Sequence, residues 1–258
     1  MEHDGSTGTL GKAIAVLDAI ARADKPVRFR DLRSRVGQPA GTLHRNISNL
    51  MKEGLVQLNP DQSYALGNRL LKFAAAAWSN NKFREIAEPH LTALHRATGE
   101  TVHLGALEGV EVIYLDKVES RQSVRMHSQV GNSSPAYCTG VGKAAMSALP
   151  EEEALRRADA ISFHQFTATT ITDAMSLLAE LKTIASEGYA FDREEHETGI
   201  HCLAAPIRSP DHTFYGGISV TAPSYRVDRD QLAAWIPLVK QAANAITNDI
   251  SIHLGPRA

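Results

Sequence analysis

The sequence predicts an N-terminal all-α/winged helix-turn-helix unit followed by a C-terminal α+β domain with a largely antiparallel sheet. Three observations carry this. Residues 29–52 read as two short helices around a tight turn. Two strand-like runs, Gly54–Leu58 and Ser63–Leu66, flank Asn59-Pro60-Asp61-Gln62, which has hairpin-turn chemistry. From Lys82 the texture changes to strands in runs between helices.

Leu10 to Ala23 is a helix with a stripe of Leu10, Ile14, Leu17 and Ala21, flanked by Ala13, Val16 and Ile20. Lys25-Pro26 breaks it. Phe29 to Val36 is a second helix, and Gly37 supplies the left-handed residue that closes it. In the third helix, Leu43 centres an apolar face with Ile47, Leu50 and Met51. Arg45, Ser48 and Lys52 lie opposite, with His44 at the edge. A helix apolar below and cationic above suits a DNA major groove. Asn68 to Asn81 is a linker helix whose apolar face (Leu70, Leu71, Ala74, Ala75, Trp78) packs on a symmetry mate or the second domain, or else within its own domain.

The C-terminal part reads as a helix over Phe83–Ala97 stopped by Gly99, then strands at Glu100–Leu107, Val110–Val118 and Val124–His127. Gly131–Pro135 reads as a loop. Helices follow at Thr139–Leu149, from Pro150 onward, and at Thr172–Glu187. Strands return at Tyr189–Asp192, Ile200–Ile207 and Phe214–Thr221. Asp228 opens a single last helix, with Gln231 three residues on and a stripe from Leu232 to Ile250. The boundaries are 8–67 for the winged helix, 68–81 for the linker helix and 82–256 for the second domain.

A hydrophobic fraction of 43% in 258 residues supports packed cores and excludes a disordered chain. The longest apolar run, Phe73 to Trp78, is too short to span a bilayer, and the N-terminus lacks a signal-peptide pattern. Two cysteines make no disulfide scaffold, and a reducing cytoplasm is the expected compartment. The total charge is −2, yet between Lys25 and Lys52 seven basic residues stand against Asp31 alone. Such a local patch is an electrostatic footprint for phosphate. Thr42, His44 and Arg45 are placed at base edges or adjacent phosphates, and Lys12, Arg28, Arg30 and Lys52 at phosphates.

Two stretches are candidates for a small-molecule site. Thr139-Gly140-Val141-Gly142-Lys143 opens a helix, where N–H groups favour a carboxylate or phosphate, although alone it is a weak signal that a plain helix start also explains. Its spacing is not that of a P-loop. Asp192 to Pro206 runs from a charged loop into a strand of small residues. Zinc on His196, His201, Cys202 and Cys138 lacks ligand spacing, and no metal or cofactor is expected. Cys202 as a nucleophile is the enzymatic alternative, against a strand cysteine that is simply buried.

Taken together, Leu10-Gly11-Lys12-Ala13, the Gly37–Arg45 turn and helix, Tyr64–Gly67, Gly99–Leu104, Tyr137–Ala144 and Asp192–Pro206 resemble the IclR family of bacterial transcriptional regulators. The resemblance implies a winged helix plus a C-terminal effector domain of GAF-like fold. It implies dimers or tetramers on a double-stranded DNA operator, a small carboxylate effector, and neither enzyme activity nor a membrane. Carried over residue by residue, it puts Gly140, Val141, Asp192 and Cys202 in the effector pocket. The Tyr137–Lys143 stretch with Asp116–Ser120 is most similar to the sugar-acid branch, such as regulators responding to 2-keto-3-deoxygluconate. The chain departs from the family at Ala40 and Gly41, so the operator does not carry over. A metabolite-binding protein whose winged helix serves protein contacts is the rival reading.

Overall fold

The computed structural model describes residues 8–23, 25–122 and 128–254. The chain divides into two compact units, residues 1–80 and 81–258.

The first unit contains α1 (Gly8–Ala21), α2 (Phe29–Val36), α3 (Ala40–Lys52), strands β1 (Val56–Leu58) and β2 (Tyr64–Leu66), and α4 (Arg69–Ser79). Its core is Val16, Ile20, Val27, Leu32, Leu43, Ile47, Leu50 and Val56. Gly37 takes φ 62° and ends α2, and the turn lets α3 start three residues later. Two sequence readings are corrected here. The buried stripe of α1 centres on Val16 and Ile20, leaving Leu10 at 68% exposure and Ile14 at 40%. Met51, in the last turn of α3, is likewise exposed. The wing is an antiparallel pair with Val56 opposite Leu66. Asp61 accepts from the backbone and hydroxyl of Ser63 at 3.0 and 2.6 Å and sets its turn. A bridge between Val27 and Tyr64 fastens it to the helices. No residue of α4 is buried, and at its start Arg69 donates to the Glu53 carbonyl at 2.9 Å.

The second unit has α5 (Lys82–Thr98), β3 (Thr101–Glu108), β4 (Glu111–Val118), β5 (Ser133–Pro135), a 3-10 turn (Ala136–Cys138), α6 (Gly140–Ser147), α7 (Glu151–Asp159), α8 (Ala174–Glu187), β6 (Ala190–Arg193), β7 (Ile200–Arg208), β8 (Tyr215–Pro223), α9 (Arg229–Ala234) and α10 (Ile236–Leu254). One six-stranded sheet runs β5-β4-β3-β8-β7-β6, antiparallel throughout. One face packs on α5 and α10 through Leu91, Leu94, Leu203, Ile218, Val220 and Ile246. The other meets α6, α7 and α8 through Val112, Val141, Met146, Leu177 and Ala204.

Two expectations change, and a third is untested. The Gly131–Pro135 loop contains the edge strand β5, paired with Glu111–Ile113. The single last helix is two, broken at Trp235 ahead of Pro237, which lacks the N–H a continuous helix needs. The strand expected at 124–127 lies outside the described residues. Asp228 does cap α9, accepting the Gln231 N–H at 2.8 Å.

Candidate functional site

In the first unit α3 buries Leu43, Ile47 and Leu50 and exposes His44, Arg45 and Lys52, with Thr42 half-buried. Lys12 on α1, and Arg28 and Arg30 at the start of α2, are also exposed. Among the described residues none of these five cations is held in a salt bridge, so their charge is available to a phosphate.

The sequence reading missed a polar bridge beneath this surface. Asn46 sits on the apolar face of α3, three residues after Leu43, and its Nδ2 donates to Gln38 Oε1 at 2.9 Å. Gln38 Nε2 donates to the Lys12 carbonyl at 2.8 Å. Both side chains are buried, and together they tie α1 to α3. A polar residue at a core-facing helical position was the available signal. Asn46→Ala strands the Gln38 oxygen and is expected to cost about 1–3 kcal/mol, read as a lower urea midpoint.

In the second unit a cavity of about 170 Å³ opens on the α6 side of the sheet. Side chains alternate across a strand, so His103 of β3, Tyr114 of β4, Ser219 and Thr221 of β8, Cys202 of β7 and Asp192 of β6 all reach the same face. Val141 and Thr139 close it from α6; Ser128, Asn132, Ser133, Ser134, His196, Glu197 and Ile200 complete it. Val141, Asp192 and Cys202 therefore meet at one place. Gly140 does not line the cavity. It packs behind Cys202: a Cβ at Gly140 would come within 2.6 Å of the sulfur, so only glycine lets α6 approach β7 this closely.

Burial sets the charge states. His103 is pushed down to about 3 by desolvation, with Lys117 adding to it, and stays neutral. Its Nε2 lies 2.7 Å from Ser128 Oγ. Burial raises Asp192 to about 7, while the Glu195 N–H, 2.7 Å from its Oδ1, opposes the rise. Burial lifts the Cys202 thiol to about 12, and raises Cys138 as well. Both remain thiols at neutral pH, the wrong state for a nucleophile. Among the described residues no three His, Cys, Asp or Glu side chains are placed to hold a metal ion.

Behind the cavity Lys143 of α6 is fully buried. Its Nζ reaches Glu195 Oε1 at 2.7 Å and Glu180 Oε1 at 3.1 Å. Glu195 lies in the β6–β7 loop beside Asp192 and His196, so this ion cluster fixes the loop that walls the cavity. The hydroxyls of Thr167 and Thr170 hold the same loop by its Glu194 and Glu195 carbonyls at 2.7 and 2.6 Å. Of these cavity and loop residues the sequence named only some. His103, Ser219 and Thr221 were legible as polar residues at inward strand positions; the lysine's ionic partners were not.

A winged helix with a cationic outer face, followed in one chain by an antiparallel α+β domain, defines a DNA-binding transcriptional regulator. The chain belongs to the IclR family: residues 9–60 match the IclR helix-turn-helix domain and residues 75–248 the bacterial transcriptional regulator IclR C-terminal domain. It is 27% identical to the HTH-type transcriptional regulator KdgR of Escherichia coli over 249 residues, covering 96% of this chain and 94% of that one. It is 28% identical to the transcriptional repressor IclR of the same organism over 246 residues, covering 94% and 90%. The crystal structure of Thermotoga maritima IclR matches with a TM-score of 0.70 at 29% identity, over 94% of this chain and 98% of that one. A structure of an IclR homologue from Microbacterium hydrocarbonoxydans complexed with 4-hydroxybenzoate shares the fold, with a TM-score of 0.75 at 22% identity over 95% and 100% of the two chains. Family membership makes the chain a regulator and not an enzyme. No described helix is long and apolar enough to cross a membrane.

Proposed function

We propose that this regulator is a cytoplasmic repressor of a catabolic operon, released from or returned to its operator by a small carboxylate metabolite, a sugar acid or keto acid. The observation that carries this reading is the cavity lining. Seven hydroxyl side chains, two histidines, Asn132, Asp192 and Glu197 surround it, and among the described residues it has no lysine or arginine. Neutral donors suit a polyhydroxylated acid, whose carboxylate would be met by hydroxyls and by the helix start at Val141. Asp192 and Cys202 would meet its hydroxyl or keto groups. The complex of an IclR homologue with 4-hydroxybenzoate supports a small carboxylate ligand.

On DNA, Thr42, His44 and Arg45 take base edges or adjacent phosphates, and Lys12, Arg28, Arg30 and Lys52 hold phosphates. The chain acts as a homodimer or homotetramer, because one winged helix makes too few base contacts for high specificity. The exposed Leu71, Phe73 and Trp78 of α4 support association. Gel shift on the DNA upstream of its own coding region, with and without a sugar acid, is the direct test. Arg45→Ala is expected to lose roughly 1–3 kcal/mol of specific affinity and far less on random duplex. Equal losses on both would remove Arg45 from base reading.

A further inference from the structure

On the opposite face of the sheet, a second cavity of about 240 Å³ lies between the β6–β7 hairpin and α9. Alternation along β7 turns Cys202 to the first cavity and the preceding His201 to this one. Phe191, Leu232 and Ala233 give the second cavity an apolar side. His201 is only 4% exposed, and its Nε2 is buried with no hydrogen-bond partner among the described residues. The ring's hydrogen bond to the Val227 backbone therefore falls to Nδ1–H, which donates to the carbonyl. Nε2 then carries a lone pair that nothing satisfies. Desolvation lowers the pKa of this histidine, which keeps that lone pair unprotonated.

The charged groups around it differ in availability. Arg193 leans over the Phe191 ring and reaches Glu180 at 3.4 Å. Glu194 accepts the Gly199 N–H at 3.0 Å and is thereby committed. Arg229 and Asp230 are exposed side by side at the mouth, and among the described residues neither makes a salt bridge. The site thus offers one buried acceptor, one cation with an acidic neighbour, and an apolar wall. An unsatisfied buried acceptor is costly, and a ligand donor removes that cost.

We propose that this cavity is a second small-molecule site, for a small organic acid that carries a hydroxyl or amino donor near its carboxylate. The donor meets His201 Nε2, the carboxylate meets Arg229, and the carbon skeleton lies on Phe191, Leu232 and Ala233. The volume is below that of drug-sized pockets and fits a ligand of a few carbons. The assignment does not depend on what occupies the first cavity. Because the same hairpin forms a wall of both, an occupant here bears on the first cavity through β6 and β7.

Calorimetry and imidazole 15N spectra of the full chain, titrated with L-lactate, glycerate, L-alanine and L-serine at millimolar concentrations, test it. At least one acid is expected to bind saturably and to move the His201 Nε2 signal. Hydroxy acids binding without amino acids, or the reverse, identifies the donor. Arg229→Gln, an exposed change, is expected to weaken binding about tenfold or more. Ala233→Phe, which fills the cavity, is expected to abolish it, and Ser134→Ala in the first cavity, on the far edge of the sheet, to leave it unchanged. The proposal is overturned if none of the four acids binds, if binding survives both Arg229→Gln and Ala233→Phe, or if Ser134→Ala removes it.

Discussion

Lys143→Met is expected to destabilise the second domain by about 3–5 kcal/mol, enough to lower its urea midpoint severely or prevent folding. Nζ is fully buried and lies 2.7 and 3.1 Å from the carboxylates of Glu195 and Glu180. Removing the ammonium leaves Glu195 buried without its cation, and its Oε2 already has no hydrogen-bond partner. The pair need not be worth that much; the cost is of one charge left alone in low dielectric. The double variant Lys143→Met with Glu195→Gln separates the two, and it is expected to recover a large part of the loss. If the single variant unfolds within 1 kcal/mol of wild type, roughly the size of a surface pair, the cluster is not structural.

The second large effect depends on pH. Asp192 has an ordinary carboxyl value of 3.8 when unfolded and about 7 when folded, chiefly because burial disfavours its charge. The folded state therefore holds the proton more tightly. Between about pH 4 and pH 7 the folded chain binds more protons than the unfolded chain, so this residue's contribution to stability falls as pH rises. Above pH 7 both states are ionised and the slope ends. Asp192→Asn cannot ionise and keeps an oxygen to accept the Glu195 N–H. It is expected to match wild type near pH 4 and to exceed it by roughly 2–4 kcal/mol at pH 8, each tenfold change in proton affinity being worth about 1.4 kcal/mol. Urea midpoints of both proteins at pH 5 and pH 8 provide the check. Parallel behaviour would mean that Asp192 ionises normally in the folded domain.

What could be read ahead of the structure follows from how local the cause was. Gly37 closing α2, the Asp61 turn of the wing and the Asp228 cap are set by residues within three or four positions of each other, and all three are visible in the sequence. The face of α1 was not, because Leu10, Ala13, Ile14, Val16 and Leu17 are apolar almost all round, and only the position of α3 decides which of them is covered. β5 escaped for a related reason. Ser133-Ser134-Pro135 has poor strand character, and it is a strand because β4 offers an open edge. The cavity was legible at Val141, Asp192 and Cys202 through resemblance and at His103 as an inward polar residue, while Tyr114 comes from a strand that only the sheet order brings beside them. Lys143 read as part of a helix start and is instead a buried ion, a role fixed by Glu180 and Glu195, which lie 37 and 52 residues away.

The middle of the sheet joins β3 to β8, with Thr101 opposite Thr221. That ladder cannot form while a ribosome is still adding the residues between them, and closing so long a loop is slow. The winged helix is complete within the first 80 residues and needs none of that ladder. During each round of synthesis the winged helix is therefore finished well before the six-stranded sheet, and nascent chains pass through a stage with the first domain alone folded.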